Sequence, residues 1–204
     1  MRLTVQNVEN LCADEDNLCV KAFRLLQKHY PIDGVDIRLK KNIPFGAGLG
    51  GGSADAAFAI KVYNQLFNLD LTNEQLRQFV SQLGSDTAFF IDNSPAFAQG
   101  RGEIMKPINL DLSDYKIEIV KPEFSISTKE AYAGVTPHPA ETALMQSIQQ
   151  PIEKWKTLIH NDFEDSLFVK YPQLQEMKQK FYDCGALYAS LSGSGSAVYG
   201  IFRK

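Results

Sequence analysis

The stretch Pro44-Phe45-Gly46-Ala47-Gly48-Leu49-Gly50-Gly51-Gly52-Ser53-Ala54 constrains this chain more than any other feature. Five glycines fall within the seven positions from Gly46 to Gly52, between a strand-like and a helix-like segment. Glycine loses more backbone freedom on folding than any other residue, so such a run is costly unless something must approach the backbone closely. Phosphate is the natural candidate. A helix N-terminus offers unpaired N–H groups and a partial positive charge, and preceding glycines turn further N–H groups inward without side-chain clashes. The stretch is neither Gly-x-x-x-x-Gly-Lys-Ser/Thr nor Gly-x-Gly-x-x-Gly followed by a ribose-binding acid, so the two common nucleotide fingerprints are absent. The competing reading is a flexible loop before an alanine-rich core helix. On the phosphate reading, Gly50→Val abolishes nucleotide binding in a chain that still folds; a collapsed fold supports packing instead.

The flanks set the context. Val35, Ile37 and Leu39 alternate with Asp36, Arg38 and Lys40, the period of a half-buried strand. From Ala54 the period turns helical, with Phe58, Val62 and Leu66 on one stripe and Ala56, Ala57 and Ala59 adding helix propensity. Near the start, Leu3-Thr4-Val5 reads as the middle of a folded element. Leu18, Ala22, Leu25 and Leu26 recur at helical spacing behind the cluster Asp14-Glu15-Asp16-Asn17, predicting a helix over about 16–29. Thr72 and Gln75 match a capping box, and Leu76, Phe79, Val80 and Leu83 supply a buried helix face that Gly84 ends. Pro95 to Phe97 and Glu103 to Met105 read as strands joined by Gln99-Gly100-Arg101-Gly102.

After the polar stretch Asn109 to Asp114 the alternation restarts at Tyr115, Ile117 and Ile119, which puts a domain boundary near 113 and gives domains 1–113 and 114–204. The second domain reads strand, several helices, strand, strand. In its last helix Pro172 suits the first position, Leu174, Met177 and Phe181 line one face, and Gly185 is the C-terminal cap. Leu187 to Leu191 and Ala197 to Phe202 flank Ser192-Gly193-Ser194-Gly195-Ser196 as strands. There is no internal repeat.

Composition narrows the function classes. The chain has 204 residues, 44% hydrophobic and 22% charged, which fits one ordinary domain or two small ones and disfavours disorder or coiled coil. Its formal charge of -3 supplies no broad electrostatic footprint for nucleic acid, so a bound phosphate must be held locally. Cys12, Cys19 and Cys184 form no close pair, as in a reducing, cytoplasmic setting. No apolar run approaches a membrane span, and His29, His138 and His160 lack metal or triad spacing. Neither a nucleic acid nor a membrane is expected as a partner, and an oligomeric state is not specified.

Three weaker constellations remain. Asp86, in Gly84-Ser85-Asp86-Thr87-Ala88-Phe89-Phe90, sits before an apolar run where a buried carboxylate needs a partner; the plainer reading makes it an N-cap. The loop Ser192 to Ser196 is either a ligand contact or an ordinary hairpin turn. Gly100 and Gly102 give the faintest signal.

Together these residues resemble the GHMP small-molecule kinases, whose second motif is a proline followed by a Gly-Leu-Gly loop and a Ser/Ala-rich helix start. Pro44 to Ala57 fits that motif. The triple glycine, Gly84 to Phe90, Ala96 to Glu103, Ser127 to Tyr132, Asn161-Asp162-Phe163-Glu164 and Leu191 to Ala197 are further similar to one branch, which acts on a cytidine diphosphate-linked methylerythritol in the non-mevalonate isoprenoid route. The resemblance implies a two-lobed α+β fold, a ribosomal-protein-S5-like N-terminal domain followed by a ferredoxin-like C-terminal domain. It implies ATP and Mg²⁺ as cofactors and Asp86 as the catalytic acid/base. Pro44 to Ala54 would line the ATP site and Gly46 to Ser53 cradle its triphosphate. Ser53 would contact phosphate or metal, and Gly100, Gly102, Ser192, Gly193, Ser194 and Gly195 would face the cleft. The family opens with a strand carrying a Lys-Ile-Asn-Leu-like motif, whose lysine partners the aspartate, and with a segment that helps hold the cytosine. Neither is present here, so the sequence-based expectation is an exposed sheet edge and weak or absent activity in the chain as written. The alternatives are a GHMP kinase for another small alcohol, of mevalonate, homoserine or sugar type, and a catalytically silent nucleotide-binding module.

Overall fold

The computed structural model describes residues 2–7, 13–136 and 143–204; Cys12 and His138 lie outside them. The chain forms two compact units: Met1–Pro44 with Gly50–Asn109, and Phe45–Leu49 with Leu110–Lys204. The sequence-derived division at 113/114 therefore falls inside the second unit, which also claims Phe45–Leu49 because that segment's carbonyls bond to residues 192–197.

In the first unit β1 (Arg2–Gln6) pairs in parallel with β2 (Asp36–Lys40), Leu3 opposite Ile37 and Val5 opposite Leu39. A parallel pair needs a crossover, supplied by α1 (Leu18–Gln27), whose first turn is capped by the Asn17 side chain accepting from Cys19 N. The next helix, α2 (Gly51–Leu66), begins at Gly51 rather than Ala54. Its buried face is Ala56, Ala57, Ile60 and Tyr63, and the stripe Phe58, Val62 and Leu66 is 49%, 55% and 58% exposed. The small residues face α1: the Phe23 and Tyr63 rings meet edge-on at 5.5 Å and Tyr63 Oη donates to Cys19 O. Periodicity located a stripe but not which stripe turns inward. The capping box forms at α3 (Asn73–Val80), with Leu76 and Val80 buried. The unit closes with α4 (Phe89–Asp92) and an antiparallel hairpin, β3 (Ala96–Gln99) against β4 (Ile104–Pro107). Phe23, Leu26, Ile60, Val80 and Ile91 form its centre.

The second unit is built on an antiparallel sheet ordered β5-β7-β6, from β5 (Tyr115–Val120), β6 (Tyr188–Leu191) and β7 (Val198–Arg203). Between β5 and β6 run α5 (Thr128–Ala133), α6 (Leu144–Ser147), α7 (Ile152–Leu158), α8 (Phe163–Lys170) and α9 (Pro172–Asp183). Pro172 occupies the first turn of α9 and Gly185, at φ +92°, follows it. Leu174 and Phe181 of α9 pack with Ile126, Leu167, Leu191 and Val198, while Trp155, Tyr188 and Ile201 form a second cluster. Ile117 and Ile119, on the edge strand β5, are exposed.

Candidate active site

In the first unit the end of the glycine motif forms the start of α2. Gly50 is its N-cap, left-handed at φ +66° and without a side-chain cap, and Ala54 N closes the first helical bond to Gly50 O at 2.8 Å. The N–H groups of Gly51, Gly52 and Ser53 are therefore open, and no acidic side chain sits in this turn. Ala54 offers no free N–H. Glycine at 50 has a packing reason, since a Cβ there would lie 2.7 Å from the Phe90 ring. Gly50→Val thus perturbs the fold itself, and the clean separation expected from it does not hold. Gly52 has no such reason: a Cβ would meet only Leu18 Cδ1, at an ordinary 3.5 Å.

Asp86 lies in the turn before α4 and is exposed. Ser53 Oγ donates to its Oδ1 at 3.1 Å, which joins two residues 33 positions apart. The carboxylate caps no backbone N–H among the described residues, and the N-cap of α4 is Ala88. A Cβ added at Gly102 would stand 3.7 to 3.8 Å from the Ser85–Asp86 backbone, whereas one at Gly100 would meet the Glu103 carboxylate at 2.8 Å.

In the second unit Phe45–Leu49 is held by the chain's last hairpin. Ser196 N donates to Gly46 O at 3.4 Å, Ala197 N to Ala47 O at 3.0 Å and Ser192 Oγ to Gly48 O at 2.9 Å. Three successive carbonyls are thus tied to one loop. In a trans peptide the N–H points opposite the C=O, so the N–H groups of Ala47, Gly48 and Leu49 point away from that loop, and none has a partner among the described residues. Glycine is obligatory at 48, where φ is +70° and a Cβ would fall 1.9 Å from Ser192 O. The 192–196 segment is a hairpin turn between β6 and β7, as the plainer reading had it, and it also holds the glycine segment. Ser192 and Gly193 line a cavity of about 990 Å³ with His160, Asn161, Lys178 and Tyr188. Gly195 is buried against Leu191 and Ile126, a packing role, while Ser194 is half-buried. Pro44 and Phe45 are exposed, and Phe45 O accepts from Ser125 Oγ. A smaller cavity of the first unit, about 560 Å³, is crossed by the Arg77 ion pairs to Asp92 and Glu74 and contains none of the expected site residues.

These motifs have known counterparts. A family model described as the GHMP kinases N terminal domain matches residues 17–101, and one described as GHMP kinases C terminal matches 143–204. A 4-diphosphocytidyl-2-C-methyl-D-erythritol kinase from Bacteroides thetaiotaomicron is 50% identical over 189 residues, which cover 93% of this chain and 69% of that protein. The chain belongs to the GHMP kinases. A crystal structure of 4-(cytidine 5'-diphospho)-2C-methyl-D-erythritol kinase matches with a TM-score of 0.79 at 28% identity, covering 98% of this chain and 72% of that one. The homoserine kinase of Cytophaga hutchinsonii matches with 0.69 at 21% identity, covering 100% and 72%, and shows the fold alone. The α+β fold is that of the GHMP kinases, with the family's N- and C-terminal domains in order.

One pair in this GHMP kinase escaped the sequence reading. Lys41, just past the end of β2 with its side chain 4% exposed, bonds Oδ2 of Asp55, which follows the first turn of α2, at 2.5 Å. Gly51 lies beside it, a Cβ there standing 3.5 Å from Lys41 Nζ. The pair fastens the strand end to the helix start, so it sets where the open N–H groups sit. The alternation through Lys40 ends on a further lysine, and Asp55 follows the serine of the glycine motif, but spacing alone does not pair them. Cys19 Sγ approaches Asp55 O at 3.7 Å. Burial, with the Asp55 charge adding to it, pushes the Cys19 thiol up to about 12 against the opposing pull of Lys41, which leaves it an inert proton-bearing group. Among the described residues, no helix is long and apolar enough to cross a membrane.

Proposed function

We propose that this GHMP kinase transfers the γ-phosphoryl group of ATP to a hydroxyl of 4-diphosphocytidyl-2-C-methyl-D-erythritol, in non-mevalonate isoprenoid precursor synthesis in the cytoplasm. The substrate follows from the relatives' names. The observation that carries the chemistry is the Ser53–Asp86 contact at the open start of α2. The free N–H groups of the glycine motif, at 51–53 and at 47–49, are donors for phosphate that need no basic surface. Asp86, exposed and free of backbone capping, accepts the proton of the substrate hydroxyl as its oxygen bonds to phosphorus and the bond to the ADP oxygen breaks. Ser53 Oγ orients that carboxylate.

The residues present fit Mg²⁺. The Ser53 hydroxyl is a hard oxygen donor at the open start of α2, and the described residues hold no cluster of three metal-binding side chains, so phosphate and water oxygens would complete the shell. When bound, the ion would neutralise phosphate charge.

An ATP-coupled assay with 4-diphosphocytidyl-2-C-methyl-D-erythritol tests the reading. Asp86→Asn lowers turnover by roughly 10²- to 10⁴-fold with ATP affinity nearly unchanged. Wild-type turnover in that variant removes Asp86 as the base, and faster phosphorylation of homoserine or mevalonate replaces the substrate.

A further inference from the structure

The motif Asn161 to Glu164 has no part in the reaction as described, yet its side chains grip the loop that holds the glycine segment. Asn161, just before α8, donates both amide hydrogens to that loop: Nδ2 lies 3.0 Å from Leu191 O and 2.9 Å from Gly193 O. Its Oδ1 accepts from Phe163 N at 3.1 Å, which turns the amino side toward the loop. The two carbonyls bracket Ser192, whose hydroxyl donates to Gly48 O. From the other side Glu164, 2% exposed, accepts from Leu191 N at 2.8 Å and Ser190 Oγ at 3.0 Å, with Lys178 Nζ at 2.5 Å balancing its charge. Leu191 is therefore held by both its N–H and its C=O.

We propose that Asn161 is a positioning residue for nucleotide binding: through Ser192 it fixes the Gly48 carbonyl, and with it the direction of the Leu49 N–H. The proposal rests on the kinase reading and extends it to a side chain that touches no substrate. Gly195 is packed and the hairpin's own bonds hold Ser192 N and Gly195 N, but residues 192–194 carry small side chains, so the Asn161 hydrogen bonds to Leu191 O and Gly193 O help set where Ser192 sits. If Ser192 shifts, the 48–49 peptide plane is free to rotate, because glycine at 48 puts no side chain in the way. Glu164 anchors the same loop, but it is a buried charge whose loss threatens the fold. Asn161 is the informative position.

Asn161→Asp is nearly isosteric. It keeps the acceptor for Phe163 N and loses both donations to the loop. Two readouts on the full chain test it: amide hydrogen exchange at Ala197, whose N–H bonds Ala47 O, and calorimetric affinity for ATP. We expect Ala197 protection to fall about tenfold while Leu26 in α1 keeps its own, and ATP to bind about tenfold more weakly. Ser192→Ala weakens ATP binding similarly, and the double variant is little worse than either single one because both cut the same link. Unchanged exchange at Ala197 in Asn161→Asp overturns the link from Asn161 to the glycine segment. Faster exchange with wild-type ATP affinity overturns its bearing on nucleotide. If the unsubstituted chain binds no ATP, the kinase reading fails, and exchange at Ala197 still decides the link. Should Asn161→Asp unfold, Ser192→Ala alone carries both readouts with the same expected and contrary results.

Discussion

The two halves of the glycine motif use the same residue for different reasons. In Phe45–Leu49 the backbone is claimed by the protein: its carbonyls bond 192–197, and at Gly48 a single added carbon would overlap Ser192 O. In Gly50–Ser53 packing requires the first two glycines, a Cβ at 51 falling 2.9 Å from Ile43, whereas Gly52 sits in a regular helical turn with room for a methyl group. A glycine in such a position is worse than alanine by about 1 kcal/mol, and nothing in the fold compensates. Close-spaced glycines thus combine a segment shaped by internal contact with a helix start whose N–H groups stay open.

Substitutions that treat the halves unequally sharpen the contrast. The largest effect belongs to Gly48→Ala, where a left-handed φ and a near-complete overlap together cost more than about 3 kcal/mol, read as a fall in unfolding midpoint. An unchanged midpoint would mean that the 192–197 contact is not made. Lys41→Met comes next. It leaves the Asp55 carboxylate partly buried without its cation and lowers stability by about 3 kcal/mol in urea, with the start of α2 losing exchange protection first. Gly52→Ala reverses the pattern: stability rises by about 0.5 to 1 kcal/mol while calorimetry finds ATP held at least tenfold more weakly. Equal ATP affinity there would leave the glycine at 52 without a purpose in this account. Ser53→Ala is mildest, with a loss of about 1 kcal/mol in ATP affinity and almost none in stability, since Ser53 Oγ has an exposed partner.

Much of the local structure was legible in the sequence because its causes are local. The Thr72–Gln75 capping box, Pro172 at the head of α9, Gly185 behind it and the alternation of β2 each depend on neighbours a few positions apart. The face of α2 was not legible. Phe58, Val62 and Leu66 form as regular a stripe as Ala56, Ile60 and Tyr63, and only the close approach of α1 selects the small one. The Lys41–Asp55 pair and the Ser53–Asp86 contact span 14 and 33 positions, so each depends on the tertiary fold for its partner. The allegiance of Phe45–Leu49 was hidden for the same reason, since its bonds reach to the far end of the chain.

The central claim is that the motif binds ATP through backbone N–H groups, and an NMR titration of the labelled chain with ATP reads those groups one by one. The account predicts that the amide resonances of Ala47, Gly48 and Leu49 and of Gly51, Gly52 and Ser53 shift together and saturate at one affinity. Shifts confined to other residues, with these six unmoved at saturating ATP, would contradict it.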